Sequence, residues 1–258
     1  MLVIVFCARN VKINFLVRKP IFNKQSTEQL KNMVEAGLEV LNCHRVLAKT
    51  GDNLVGELLK GYDDFFEWDH YPKGDVIDKE THCQMFYHSH KVGEREAEHG
   101  HFHTFLHKKA FPKKLSPKDL PDKDQLQNKH PLTHLIGISM DQSGIPFRLF
   151  TVNRWVTGEV WYDCEDIIAA IDNFEIDIVQ PSWVVNIWLS NMVQLFRPQI
   201  IELLHERDKV VNAWVEKNPD KYVYEDRELE VTSVLDVSVD GQINGAVDEL
   251  AIRDVKII

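Results

Sequence analysis

From Ser26 onward the apolar residues recur every three or four positions, at Leu30, Met33, Val34, Leu38, Leu41 and Val46. That period predicts an amphipathic helix. Ser26 and Gln29 stand at capping-box spacing at its start, and Gly51 marks its end. A short second helix is predicted from Asn53 to Leu59, closed by Gly61. The stretch YDDFFEWDHYPKGD, residues 62–75, reads as a loop because of Pro72, Gly74 and its acids, with its aromatics plugging a core edge.

At Thr81 the period changes to two. Cys83, Met85 and Tyr87 share one face of an extended segment that runs to His90. Residues 91–98 form a polar connection, and Glu98 to Leu106 is extended again. Leu132–Met140 and the apolar run from Ile145 flank a four-residue turn ending in Gly144, which predicts a hairpin. Thr157 is expected to cap a helix reaching Ile171. Pro181 and Pro198 fit the first turns of two helices, or of one helix kinked at Pro198. The tail from Glu228 to Val247 alternates, with Asp240-Gly241 placed as a hairpin turn.

These elements predict an α+β fold: a mostly antiparallel sheet, a meander of histidine-bearing hairpins, flanked by N-terminal and C-terminal helices. The expected organisation is an N-terminal extension (1–25) followed by a single α+β domain (26–258). Within that domain lie a histidine-rich sheet module (81–161), a helical part (163–217) and a C-terminal β-hairpin (228–247).

Composition narrows the function. A hydrophobic content of 44% and a charged content of 27% suit a globular protein with a sizeable core. A formal charge of -10 repels phosphate backbones, so nucleic acid is not an expected partner. The apolar run Met1–Ala8 is broken by Arg9, Asn10 and Lys12, which predicts neither a signal peptide nor a membrane anchor. Cys7, Cys43, Cys83 and Cys164 form no CxxC pair, which suits a reducing cytoplasm. Cys83 and Cys164 qualify as nucleophiles only beside a base, and His205, next to Glu206, reads as surface charge. The lysine- and proline-rich stretch from His107 to Pro131 reads as a lid, a binding loop or a plain flexible insertion.

The chemistry concentrates in YHSHKVGEREAEHGHFHTFLH, Tyr87 to His107, where six of twenty-one residues are histidine. By alternation His99, His101 and His103 share a face, as do His88 and His90. A hairpin centred on residues 91–98 sets His90 opposite His99 and His88 opposite His101. The five histidines then converge as candidate ligands. With no cysteine at ligand spacing, zinc, iron, copper and nickel all suit such a site. Glu98, in the connection, is placed as the carboxylate of a two-histidine, one-carboxylate set or as a base beside the metal. His134 is expected on the face of the next hairpin that leads to Asn153 and Arg154. These two residues stand where a strand runs into a helix N-terminus, a good position for an anion, and Arg154 can grip a carboxylate with two hydrogen bonds. Asn153, Arg154 and His134 are therefore candidate substrate contacts, and Glu98 and Arg154 candidate catalytic groups.

Three resemblances bear on this. Gly93 to His101 resembles the start of the cupin metal motif, with Phe105, Leu106 and His107 where a glutamate is due. His99 to Phe105 resembles the histidine-triad nucleotide hydrolase signature, with departures at Gly100 and Thr104. The segments YHSH, EHGHFHTFL and THLIGISMDQSGIPFRLFTVNRWVTGEVW together resemble an uncharacterised bacterial domain family, domain of unknown function 6969, over residues 81–161. That resemblance implies that the histidine strands and the NRWVTGE segment belong to one module. The expected function is a cytoplasmic metal-dependent enzyme, of hydrolase or non-haem iron oxygenase type, acting on a small polar substrate. The alternatives are a histidine-triad-like nucleotide hydrolase and a non-catalytic metal- or haem-binding protein. A membrane is not an expected partner.

Overall fold

The computed structural model describes residues 7–8, 11–12, 22–91, 94–95, 97–112, 115–121 and 131–255. The expectations for the N-terminal extension and for residues 113–114 and 122–130 of the lysine-rich stretch fall outside the described residues, apart from a short pairing of β1 (Cys7–Ala8) with β2 (Val11–Lys12). The body of the chain is an antiparallel six-stranded meander in sequential order: β3 (Tyr71–Ile77), β4 (Cys83–His88), β5 (Gly100–His107), β6 (Leu132–Met140), β7 (Pro146–Val152) and β8 (Val231–Asp236). With helices at both ends, the fold is α+β as the pattern predicts.

Helix α1 (Thr27–Ala48) starts at Ser26, where both halves of the capping box form. Its buried face runs through Leu30, Met33, Val34, Gly37, Val40, Cys43 and Leu47, while Leu38, Leu41 and Val46 are exposed. The predicted stripe is thus displaced around the helix from its middle onward. Gly37 explains the choice of face. A Cβ there would stand 2.4 Å from Ile243 Cγ1, so the missing side chain lets α7 (Val239–Ile252) pack directly on α1. The short α2 (Leu54–Leu59) is capped by Asn53.

Three local expectations are corrected. Residues 71–77 form the edge strand β3 instead of a loop, with a bulge between Tyr71 and Val76 and Pro72 where an edge tolerates it. Asn153, not Thr157, caps the helix after β7, because its side chain accepts from the Arg154 N–H. That helix, α3 (Arg154–Thr157), lasts one turn before Gly158 closes it in the left-handed conformation, and α4 (Cys164–Ile168) follows separately. The C-terminal hairpin is not formed. Ser238 accepts from the Gly241 N–H and nucleates α7, so the Asp240-Gly241 turn becomes the first turn of a helix. The two predicted helices are separate: α5 (Trp183–Leu195) begins after its cap position Ser182, with Pro181 outside it, and α6 (Arg197–Lys217) carries Pro198 in its first turn.

Alternation divides the sheet into two environments. Met85, Tyr87, Phe102, Leu106, Ile138, Met140 and Leu149 face the helices and join the core of Leu30, Val40, Trp188 and Leu189. The opposite face carries the histidines. Among the described residues, no helix is long and apolar enough to cross a membrane.

Candidate metal centre

The histidine face is organised as two rows running across the strands. One row pairs His88 with His101, His101 with Ser139, Ser139 with Arg148 and Arg148 with Asp236. The neighbouring row pairs Phe86, His103, Gly137, Phe150 and Val234 in the same way. Gly137 is required there: a Cβ would lie 2.4 Å from the Phe150 ring, which rests on the bare backbone. The predicted pairing of His88 with His101 is the register observed.

His88, His101 and His103 each offer one ring nitrogen within 4.8 Å of the others. His101 Nε2 and His103 Nε2 are 3.1 Å apart, with their rings edge to face. The Nε2 of His88 is buried and has no hydrogen-bond partner. Two nitrogens bound to one metal at about 2.0–2.1 Å stand roughly 2.9–3.4 Å apart, so the separation suits shared coordination. His88 Nε2 is a buried polar atom left unsatisfied, which a metal ion would satisfy.

Outer partners hold the rings in place. His101 Nδ1 bonds Glu98 Oε1 at 2.7 Å, and His103 Nδ1 bonds His134 Nε2 at 2.9 Å. Behind these, the His134 backbone N–H donates to Glu159 Oε2 at 2.7 Å. A carboxylate or a second imidazole on the far ring nitrogen is the usual means of fixing a ligand histidine's orientation.

Burial keeps the imidazoles neutral, the form that binds metal. It lowers His88 to about 3, aided by His90, His70 and Arg95, and lowers His134 to about 3 together with Arg207. His101 and His103 are held well below the ordinary histidine range by burial first, and then by neighbouring histidines and Arg95. Burial likewise raises Glu159 to about 7 against the pull of Arg207.

The other two predicted ligands are placed differently. His90 flanks the cluster, its ring 5.2 Å from those of His88 and His101 and beneath Trp68 at 4.2 Å. His99 precedes β5 and turns to the helix side, hydrogen-bonded to the Tyr87 hydroxyl at 2.7 Å and stacked on Phe65. Gly100 permits this turn: a Cβ there would lie 2.5 Å from the Tyr87 hydroxyl and from the His88 carbonyl oxygen. Strand alternation holds only inside the ladder, and His99 lies outside it.

A cavity of about 470 Å³ opens in front of the cluster. His88, His101 and His103 line it with Glu98 and Ser139, against an apolar wall of Phe150, Val152, Val231 and Val234. Arg95 reaches across its mouth to Glu230 at 2.7 Å. Of the predicted catalytic and substrate residues, Glu98 alone lines this space. Asn153 is fully buried and donates to the Val223 carbonyl, Arg154 pairs with Glu225, and His134 stands behind His103. The sequence reading missed Trp68, His70, Arg95, Ser139, Arg148 and Glu230 as cavity residues. Arg148 and Phe150 alternate along β7, a signal that fixes a shared face but not which face. Trp68 and His70 carry no local signal, since their place depends on a loop returning over the sheet.

Elsewhere, Cys164 Sγ lies 3.4 Å from His205 Nδ1. Burial and the nearby Asp208 push the Cys164 thiol up to about 12, which argues against a nucleophile.

Comparison with known proteins agrees with one of the resemblances seen in the sequence and extends it. No curated protein and no solved structure matches the chain. The family model for a domain of unknown function, DUF6969, matches residues 34–237, so that its span takes in most of α1 and the helical part as well as the histidine sheet. The chain belongs to the DUF6969 family.

Proposed function

We propose that this protein is a metal-dependent enzyme in which His88, His101 and His103 hold a first-row divalent ion at the head of the cavity. The observation that carries the reading is the convergence of His101 Nε2 and His103 Nε2 at 3.1 Å beside the unpartnered, buried Nε2 of His88. The donor set is three neutral imidazoles, which suits zinc, iron, copper or nickel. When bound, such an ion lowers the pKa of a coordinated water and polarises a substrate oxygen.

Glu98 and His134 act behind the ligands. Glu98 holds His101 through Nδ1 and stands outside the three imidazoles that meet at ligand spacing. This favours hydrolytic or hydration chemistry over the oxygenase type. The cavity favours turnover over storage, because it gives a small substrate room next to the metal. A substrate with a polar reacting group and an apolar body fits its two walls. The polar group faces the histidines, and the body lies along Phe150, Val152, Val231 and Val234.

The test is cobalt(II) titration of protein made without a histidine tag, followed by azide. A cobalt site that is lost in His101→Ala and whose visible spectrum changes with azide supports an open catalytic site. Cobalt binding with a spectrum indifferent to azide points to a closed, non-catalytic site. No binding contradicts the reading altogether.

A further inference from the structure

We propose that Cys164, Glu165 and His205 form a second metal site, independent of the histidine centre and suited to a thiophilic divalent ion of the zinc type. The three side chains each offer one ligand atom, and all three atoms lie within 4.8 Å of one another. His205 Nδ1 is 3.4 Å from Cys164 Sγ and 3.6 Å from Glu165 Oε1. Ligand atoms around one tetrahedral zinc stand roughly 3.3–3.6 Å apart, given Zn–S and Zn–N bonds of about 2.3 and 2.0–2.1 Å. His205 therefore lies at coordination spacing from both the thiol and the carboxylate, and the third pair closes the triangle within 4.8 Å.

The arrangement is held from behind. Asp208 stands one turn beyond His205 on α6, and its Oδ2 accepts from the Cys164 backbone N–H at 2.7 Å. Asp208 is itself fixed by the buried Arg207, whose Nε donates to Oδ1 at 2.8 Å. The start of α4 is thus pinned to α6 at the point where the ligands meet, and outer contacts of this kind pre-organise a metal site. Cys164 is nearly buried while His205 and Glu165 are open, so an ion enters from solvent and the thiolate sits on its protein side.

On binding, the S–H bond of Cys164 breaks, a sulfur–metal bond forms from the same electron pair, and the proton leaves to solvent. His205 donates its Nδ1 lone pair, and Glu165 a carboxylate oxygen. The mixed sulfur, nitrogen and oxygen set separates this site from the all-imidazole centre, because thiolate selects softer ions. A metal here would tie α4 to α6 by side chains in addition to the existing hydrogen bonds.

The experiment is cobalt(II) titration of the full chain, as wild type and as His101→Ala, read by the thiolate-to-cobalt charge-transfer band in the near ultraviolet. The band is expected in both proteins, absent in Cys164→Ser, and at affinity lower by about tenfold or more in His205→Ala. Its presence in His101→Ala separates this site from the histidine centre, whose failure to bind would leave the band intact. No band in either protein, or a band that survives Cys164→Ser, overturns the proposal. If Cys164→Ser does not fold, His205→Ala and Glu165→Ala carry the test: the band should form at affinity lower by about tenfold or more in each, and wild-type affinity in both overturns the site.

Discussion

His101 Nε2 and His103 Nε2 face each other at 3.1 Å on one side of a single strand. The hydrogen bonds around them determine which nitrogens carry protons. Glu98 Oε1 accepts from His101 Nδ1, which leaves His101 Nε2 with a lone pair. Without a cation, His103 must donate through Nε2–H, and its Nδ1 then accepts from His134 Nε2–H. A metal needs both Nε2 lone pairs at once. His103 must then carry its proton on Nδ1 and donate to His134, whose proton moves to its own Nδ1. Imidazole nitrogen-15 spectra should therefore show His103 and His134 changing tautomer together on zinc addition, while His101 keeps its Nδ1 proton. Zinc binding with both tautomers unchanged would contradict this arrangement.

The outer partners should matter for affinity and not for stoichiometry. Glu98→Ala and His134→Ala each remove a group that orients a ligand ring and are expected to weaken metal binding by about 10–100-fold. Chelator competition measures this. Wild-type affinity in both variants would remove Glu98 and His134 from the site.

The buried neutral histidines make the metal-free protein sensitive to acid. His88 and His134 are each held at about 3, against an ordinary 6.5. Below pH 6.5 the unfolded chain takes up protons on these groups that the folded chain refuses, so unfolding becomes easier. Their contribution is complete above about 6.5 and is lost as pH falls toward 3. At pH 5 each group costs roughly 2 kcal/mol of stability. Urea unfolding of metal-free protein at pH 7.5 and pH 5 should show the loss, and His134→Gln should reduce it. Equal stability at both values would mean that these rings are protonated in the fold or exposed.

Gly137 separates packing from chemistry. In Gly137→Ala the new methyl group meets Phe150 at 2.4–2.6 Å. The ring must then leave its bed, toward the histidines that it touches edge to face at 5.1 and 5.8 Å. Overpacking of this kind costs about 1–3 kcal/mol, and metal affinity should fall with stability. A crystal structure of the variant with Phe150 unmoved would contradict the packing argument.

Asn153→Ala should do the opposite. It removes the cap of α3 and leaves the Val223 carbonyl without its buried donor, at a cost of about 1–3 kcal/mol. Metal content should stay at the wild-type level, as measured by elemental analysis beside thermal unfolding. Loss of metal in a folded Asn153→Ala protein would return this residue to the site.

The contrast between Asn153 and His101 shows where the sequence was legible. Alternation in a strand is a strong local rule, and the pairing of His88 with His101 followed from the short connection between two such strands. His99 obeys the same spacing but precedes the ladder, so nothing fixed its face until Tyr87 supplied a partner. Asn153 and Arg154 have the residue types of a binding site, yet partners 70 or more positions away claim both. Ser238 shows the converse at the C-terminus. An alternating apolar pattern also suited a hairpin, and a single side-chain cap decided for helix α7. Trp68 and His70 close the cavity from a loop whose path only the folded chain defines.

The most direct test is the metal content of untagged protein, purified without chelator and then reconstituted with zinc, as wild type and as His88→Ala, His101→Ala and His103→Ala, each also carrying Cys164→Ser to silence the second site. Tight binding of one metal ion per chain in the parent and little in each histidine variant is the predicted result. A parent that stays metal-free after reconstitution, or histidine variants that bind as well as the parent, would contradict the histidine metal centre.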